Sequence, residues 1–439
     1  DMTLSPDGKR IAWVQTTADG DGVAERNLET GEVTALIRAD GREIMGLRYL
    51  TDKHLHFLAY RPEYNAREKD AYRIATAHIF DLSRKTAYRF DGYGEVLAVT
   101  RDEKRVFMST GSRVLEIMLD TGNVWSDDLG RQAERDLVID PEGKLRAAQE
   151  INRETGINRI FAANGTDRRL LFQEGPQPAQ VHPLALMPDA KSIAVEDRRD
   201  GARAIRAIGL EDGVMSEPMF GLVNAEVQSA ILDRRGTFIG ATITGLYPRH
   251  EFLDAGLTGD ARSLSAAYPG QAVRIANWSD DRSRILLHVE GGVEPGRYAL
   301  FDREARKLIS LMPTRPAIPA GDMGEVVTIE YAARDGQKIG AVLTWPARVA
   351  ADQRRNLPLV VMPNQTLDLY EAVNFDWIAQ YLANEGYAVF QPNYRGSGGR
   401  GASFRAAGHD QFGRSMQHDV TDGVHALAEM GWIDADRVC

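Results

Sequence analysis

Along the first three quarters of the chain, a polar turn followed by a strand-like alternation of apolar and polar residues recurs seven times. The unit reads SPDGKRIAWV at Ser5, TDKHLHFLAY at Thr51, TRDEKRVFMS at Thr100 and DPEGKLRAAQ at Asp140. It returns as MPDAKSIAVE at Met187, DRRGTFIGAT at Asp233 and SDDRSRILLH at Ser279. The copies start about 46, 49, 40, 47, 46 and 46 residues apart, a period that fits one four-stranded propeller blade. Asp and Pro open a tight turn, and Gly supplies a positive φ where a Cβ would clash. The strand then alternates, as in Ile11 and Trp13, Val106 and Met108, or Ile285 and Leu287, the period-2 mark of a strand. A strand, a polar turn and a closing strand follow most copies, as at 25–37, 79–90 and 298–311. One blade alone cannot cover both of its faces, whereas a ring lets each sheet cover its neighbour. Residues 1–318 therefore read as a seven-bladed β-propeller, and the even spacing weighs against unrelated hairpins in a sandwich.

Near residue 315 the period breaks. PTRPAIPAGDMGE (313–325) is a Pro- and Gly-rich linker. Two strands joined at Asp335-Gly336 follow (326–346), and from there strands and helices alternate. LPLVVMP (357–363) is a buried-type strand. Asn374 is placed to cap a helix reaching about Glu385, with Phe375, Ile378 and Leu382 on one face and Gly386 just past its end. YAVFQPN (387–393) is the next strand. A second helix is expected from about Ser415 to Met430, with Met416, Val420, Val424 and Leu427 in a stripe and Gly431 ending it. After a turn at 434–436, Arg437 to Cys439 begins a third strand. This order predicts a doubly wound parallel sheet over 319–439.

Composition narrows the classes of function. With 43% hydrophobic and 26% charged residues the chain is of ordinary globular type. Its net charge of −10 argues against nucleic-acid binding. No apolar run approaches the roughly 18 residues of a membrane span, so no membrane partner is expected. A single cysteine excludes an intrachain disulfide and fits a reducing compartment, which favours a cytoplasmic over a periplasmic location. The chain opens inside a structural unit, so upstream residues are expected to have been lost or processed. A homo-oligomer is left open.

Several local patterns look like chemistry and read better as structure. GSGGRG (396–401) matches G-x-G-x-x-G, but it does not directly follow a strand and no clear helix opens at Gly401. His418, Asp422 and His425 share a helix face and read as its solvated side rather than as metal ligands. His54 and His56 alternate with Leu55 and Phe57 and read as one strand's outer face. Cys439 reads as a buried structural cysteine, since nothing nearby lowers its pKa. The charged, aromatic run YRPEYNAREKDAYR (60–73) reads as a solvated insertion between two blade strands. No cofactor or metal is implied.

The blade motif SPDGKRIA, with RDGQKIGAVLTWP, FDWIAQYLANEGYAVFQPNYRGSGGRG and HDVTDGVHALAEMGWIDADRVC, resembles the prolyl oligopeptidase family of serine peptidases. The likeness spans the chain, is strongest from Arg334 onward, and is nearest to the acylaminoacyl-peptidase and dipeptidyl-peptidase branch. It implies the first part of an α/β-hydrolase domain behind the propeller. It also implies that the strand at Cys439 continues into a G-x-S-x-G-G nucleophile elbow, with the acid and the histidine later still. Residues 1–439 alone are then expected to be without hydrolytic activity. In similar enzymes the loop after the LVVMP strand reads H-G-G-P and supplies part of the oxyanion hole, or a tyrosine at its first position does. Here Asn364, Gln365, Thr366 and Leu367 stand there, so the resemblance implies the Asn364 amide and the Thr366 backbone N–H as oxyanion candidates. Arg395 is expected to tie loops together rather than touch substrate. The implied activity is hydrolysis of amide bonds in short or constrained peptides through an acyl-enzyme, with the propeller gating access. The alternatives are an isopeptidase that opens lasso peptides and a non-catalytic propeller that binds a partner.

Overall fold

The repeat turn folds as its residues dictate. In the first copy the Ser5 hydroxyl donates to Asp7 Oδ1 at 2.5 Å and accepts from the Arg10 N–H at 2.9 Å, while the Gly8 N–H donates to the Ser5 carbonyl. Thr100 with Asp102 and Ser279 with Asp281 repeat the arrangement. The computed structural model describes the chain apart from residues 39, 66–69, 93, 111–113, 127–132, 177, 222–223, 365 and 367–368, and apart from the side chains of 62–65, 70–73, 126 and 320.

Seven antiparallel sheets follow one another, built from 2–37, 43–91, 95–126, 134–174, 181–209, 227–252 and 272–313. Each comes from one contiguous stretch, and neighbouring sheets share apolar clusters, such as Leu58, Ile79, Val96 and Met108 between the second and third. This is a seven-bladed propeller. Two blades depart from the expected closing hairpin. The fifth pairs three strands, and its outer position is met only by bridges at Met215 and Phe220. The sixth also pairs three strands, and the helix Ala255–Ala266 follows, burying Leu257, Ala261 and Leu264 towards the seventh. Between the first and last blades no strand pairing is shared among the described residues. Asn277 joins them instead, accepting from the Leu4 N–H and donating to Thr3 Oγ1 and the Leu4 carbonyl. Met2, Leu4 and Ile11 pack there against Leu286 and Leu300.

The ring corrects two sequence expectations. His54 and His56 are 8% and 3% exposed, because both faces of a middle strand are covered by adjacent blades. The run 60–73 is not a loop insertion. Its strands continue to Asn65 and resume at Asp70, and its tip, 66–69, lies outside the described residues.

The propeller's last strand, Lys307–Pro313, leads through a short 3₁₀ turn at Ala320–Asp322 into a second, five-stranded sheet. An antiparallel pair, Val326–Ala332 and Lys338–Thr344, flanks the Ala388–Pro392 strand. That strand pairs in parallel with Leu357–Val361, which pairs in parallel with Ile433–Val438. Ile339, Ala341, Leu343, Leu359 and Phe390 form its core, and the helix Ser415–Glu429 covers it. At Gly423 the helix approaches so closely that a Cβ would stand 2.5 Å from the Phe390 ring. No helix is long and apolar enough to cross a membrane among the described residues.

Four expectations for this half change. The first helix is Trp377–Asn384, capped by Asp376, whose Oδ1 accepts from the Ile378 and Ala379 N–H groups. Asn374 lies in a lead-in fastened to the propeller through Val373 N–H to the Leu246 carbonyl and Phe375 N–H to Glu290. The helix therefore buries Ala379, Gln380 and Ala383, and leaves Ile378 exposed. A five-residue helix, Ala402–Ala406, does start after Gly401. The last strand begins at Ile433, and the expected turn residues bulge opposite Pro358 instead. Cys439, which the sequence reads as buried, is exposed.

Candidate active site

In a parallel sheet, binding loops gather at the carboxyl ends of the strands. Two such ends adjoin here. The Leu357–Val361 strand runs into Met362, Pro363 and Asn364, and the Ala388–Pro392 strand runs into Asn393, Tyr394 and Arg395. Asn393 is fully buried and clamps the first loop from below. Its Oδ1 accepts from the Glu371 N–H at 2.7 Å, and its Nδ2 donates to the Glu371 carbonyl at 2.8 Å. Tyr394 Oη donates to the Asn364 carbonyl at 2.9 Å.

Asn364 is buried, with its amide nitrogen 3.4 Å from both the Leu369 carbonyl and Asn393 Oδ1, while its own Oδ1 has no hydrogen-bond partner among the described residues. Two long contacts leave the amide N–H groups weakly engaged. Thr366 is exposed, and its carbonyl accepts from the Leu369 N–H at 3.3 Å. No hydrogen bond joins Asn364 to Thr366 among the described residues. Gln365 and Leu367 lie outside the described residues.

Behind the loop is a carboxylate pair. Gln391 Nε2 donates to Glu371 Oε2 at 3.2 Å and to Asp376 Oδ2 at 3.0 Å. Burial, with Asp376 beside it, pushes the Glu371 carboxyl up to about 7. Arg395 is 8% exposed and holds two elements together. It grips the fully buried Asp419 at 2.6 and 2.8 Å and Asp335 at 2.6 and 2.9 Å. Its guanidinium holds the Asp335 carboxyl down at about 2. Asp422 is gripped by Arg334, at 2.7 Å from its Nη2.

The propeller stands over this loop. The Val326 N–H donates to the Gly292 carbonyl, Arg405 pairs with Glu226 at 2.9 Å, and the Arg315 guanidinium lies 4.0 Å from the Phe375 ring centroid. Between the two halves lies a cavity of about 510 Å³, with Leu369, Tyr370 and Ala372 on one wall and Arg203, Glu226 and Thr244 on the other.

Sequence reasoning singled out Asn364, Thr366 and Arg395 and passed over Glu371, Asn393, Tyr394 and Asp419. The readable signal for two of these was a polar run, Asn393 to Arg395, at the end of an apolar strand. Asp419 gave none, since its helix otherwise shows an ordinary apolar stripe.

A seven-bladed propeller joined to a mixed five-stranded sheet, with a cavity between them, is the fold of a propeller-capped hydrolase domain. Residues 373–439 match the model of the prolyl oligopeptidase family. The chain is 23% identical over 474 residues to a dipeptidyl aminopeptidase BIII of Pseudoxanthomonas mexicana, covering all of this chain and 65% of that protein. It also superposes over its full length on a prolyl endopeptidase structure (TM-score 0.65, 13% identity, 67% of that chain). A puromycin-hydrolyzing peptidase of Mycobacterium tuberculosis is similar as well (TM-score 0.60, 15% identity, all of this chain and 73% of that one). The family match thus covers the C-terminal part of the chain, and the likeness to the dipeptidyl aminopeptidase covers all of it. The chain spans about two thirds of the length of the Pseudoxanthomonas relative.

Proposed function

We propose that the full-length protein is a serine peptidase that cleaves amide bonds of short peptides through an acyl-enzyme, with the propeller limiting access. The observation that carries this reading is that Asn364 stands past the carboxyl end of a parallel strand, while Leu369, Tyr370 and Ala372 line the cavity beneath the propeller. A cavity of 510 Å³ suits a few peptide residues and excludes a folded domain. On this reading the nucleophilic serine, then its acid and then its histidine follow the Ile433–Val438 strand, in the chain order of an α/β-hydrolase. Serine attack builds charge on the carbonyl oxygen, and the Asn364 amide is the side-chain donor that faces that charge.

The full-length protein should react with a fluorophosphonate probe and release product from acyl-peptide or Xaa-Pro substrates. Asn364→Ala should lower kcat by about 10²-fold with little change in KM. A protein inert to the probe is a binding propeller instead. Turnover confined to a peptide ring closed by a side-chain amide makes it an isopeptidase. An unchanged kcat in the variant removes Asn364 from the oxyanion hole.

A further inference from the structure

The cavity under the propeller is basic, in a chain whose net charge is −10. Arg198, Arg203, Arg274 and Arg405 line it, and Glu226 is the single carboxylate among its lining residues. The acids that hold these arginines sit behind the wall and are shared. Glu196, on the Ser192–Asp197 strand, takes Arg198 at 2.6 Å and Arg203 at 3.5 Å. Glu290, on the Arg284–Gly291 strand, takes Arg274 and lies 3.9 Å from Arg315. Five arginines thus share three glutamates, counting the Arg405–Glu226 pair. A guanidinium carries five N–H donors in a planar fork, and one carboxylate engages only part of them. Arg198 and Arg203 bracket a turn, closed by the Gly201 N–H to the Arg198 carbonyl, that faces the second half of the molecule. Their side chains keep 44% and 32% exposure.

From this surplus we infer that the cavity selects peptides bearing a carboxylate, which Arg198 and Arg203 receive opposite Leu369 and Tyr370. The inference rests on the peptidase reading and adds its substrate class. Charge-assisted, two-pronged contact with a carboxylate gives position as well as affinity, and a basic cleft with low-dielectric walls concentrates anions from solution. The carboxylate has two sources, an acidic side chain or a free C-terminus.

Two pairs of fluorogenic peptides separate these sources on the full-length protein, one pair differing only as Glu or Gln, the other only as C-terminal acid or amide. The acid member of at least one pair should show a kcat/KM on the order of tenfold higher, and the ratio should shrink as salt is raised. An Arg198→Gln, Arg203→Gln double variant, altered only on an exposed turn, should bring that ratio towards one. No discrimination in either pair, or discrimination that survives in the double variant, overturns the inference. If no peptide is hydrolysed, the peptidase reading fails by itself. Calorimetric binding of the same two peptide pairs then still decides this one, with equal affinities within both pairs overturning it.

Discussion

His56 is 3% exposed, and both of its ring nitrogens are buried. Burial first, then the neighbouring Arg48 cation, holds its pKa at about 3, against 6.5 in an unfolded chain. The folded state therefore keeps this ring neutral, while the unfolded state takes up a proton as pH falls below 6.5. Its contribution is fully present above about pH 6.5 and is lost progressively towards pH 3. Thermal melts between pH 7 and 4 should show a falling midpoint, and His56→Leu should make that fall shallower. His78 and His250, both held at about 4 chiefly by burial, keep it from vanishing. A slope identical in the variant would remove His56 from the acid response. Alternation with Leu55 and Phe57 made these histidines look outward, because in a single sheet the second face is wet. The burial of that face comes from a blade far away in sequence, which no local pattern carries. Asp419 hid for the same reason. A polar residue inside a helical stripe reads as an irregularity until Arg395, 24 residues earlier, is seen to meet it.

At the level of turns and helices the chain is more readable. Six of the seven repeat turns place their fourth residue at positive φ, with Gly8, Gly143 and Gly236 in three and Glu103, Ala190 and Arg282 in the others. The side-chain links from Thr100 and Ser279, and from Asp189 to the Lys191 and Ser192 N–H groups, help hold the turn where glycine is missing. A Cβ in this region costs on the order of 1–2 kcal/mol. Ala190 is exposed, with φ at 56°, so Ala190→Gly should raise the unfolding free energy by about 1 kcal/mol in a denaturant titration. A loss of stability would show that the turn is unstrained. Helix ends were less readable. Asn374 and Asp376 are both good caps, and the choice of Asp376 was made by the propeller, which holds Val373 and Phe375 out of the helix.

For the molecule as a whole, the period near 46 residues was enough to specify a ring, since even repeats that cannot cover themselves have few other ways to close. What the period could not say is how the ring is fastened or which side the second half occupies. Both depend on single residues far apart in sequence. Asn277 lies 273 residues from Leu4, and no repeat pattern marks it. Asn277→Ala removes three hydrogen bonds at the junction of the first and last blades and leaves the Leu4 N–H short of its acceptor. It should cost about 1–3 kcal/mol, with hydrogen exchange accelerating first in 2–4 and 272–278. Exchange that speeds evenly around the ring would show that this junction is no weaker than the others. The clustering of arginines under the propeller was hidden likewise, because Arg203 and Arg405 sit in different halves of the molecule.

That junction has a mechanical corollary. Among the described residues, separating the first and last blades would unzip no ladder. It would release one asparagine, a few polar links and a small greasy contact. A ring made this way works like a spring clip, able to gape and snap back with every sheet whole, whereas one whose ends were woven into a common sheet would have to fray before it could widen.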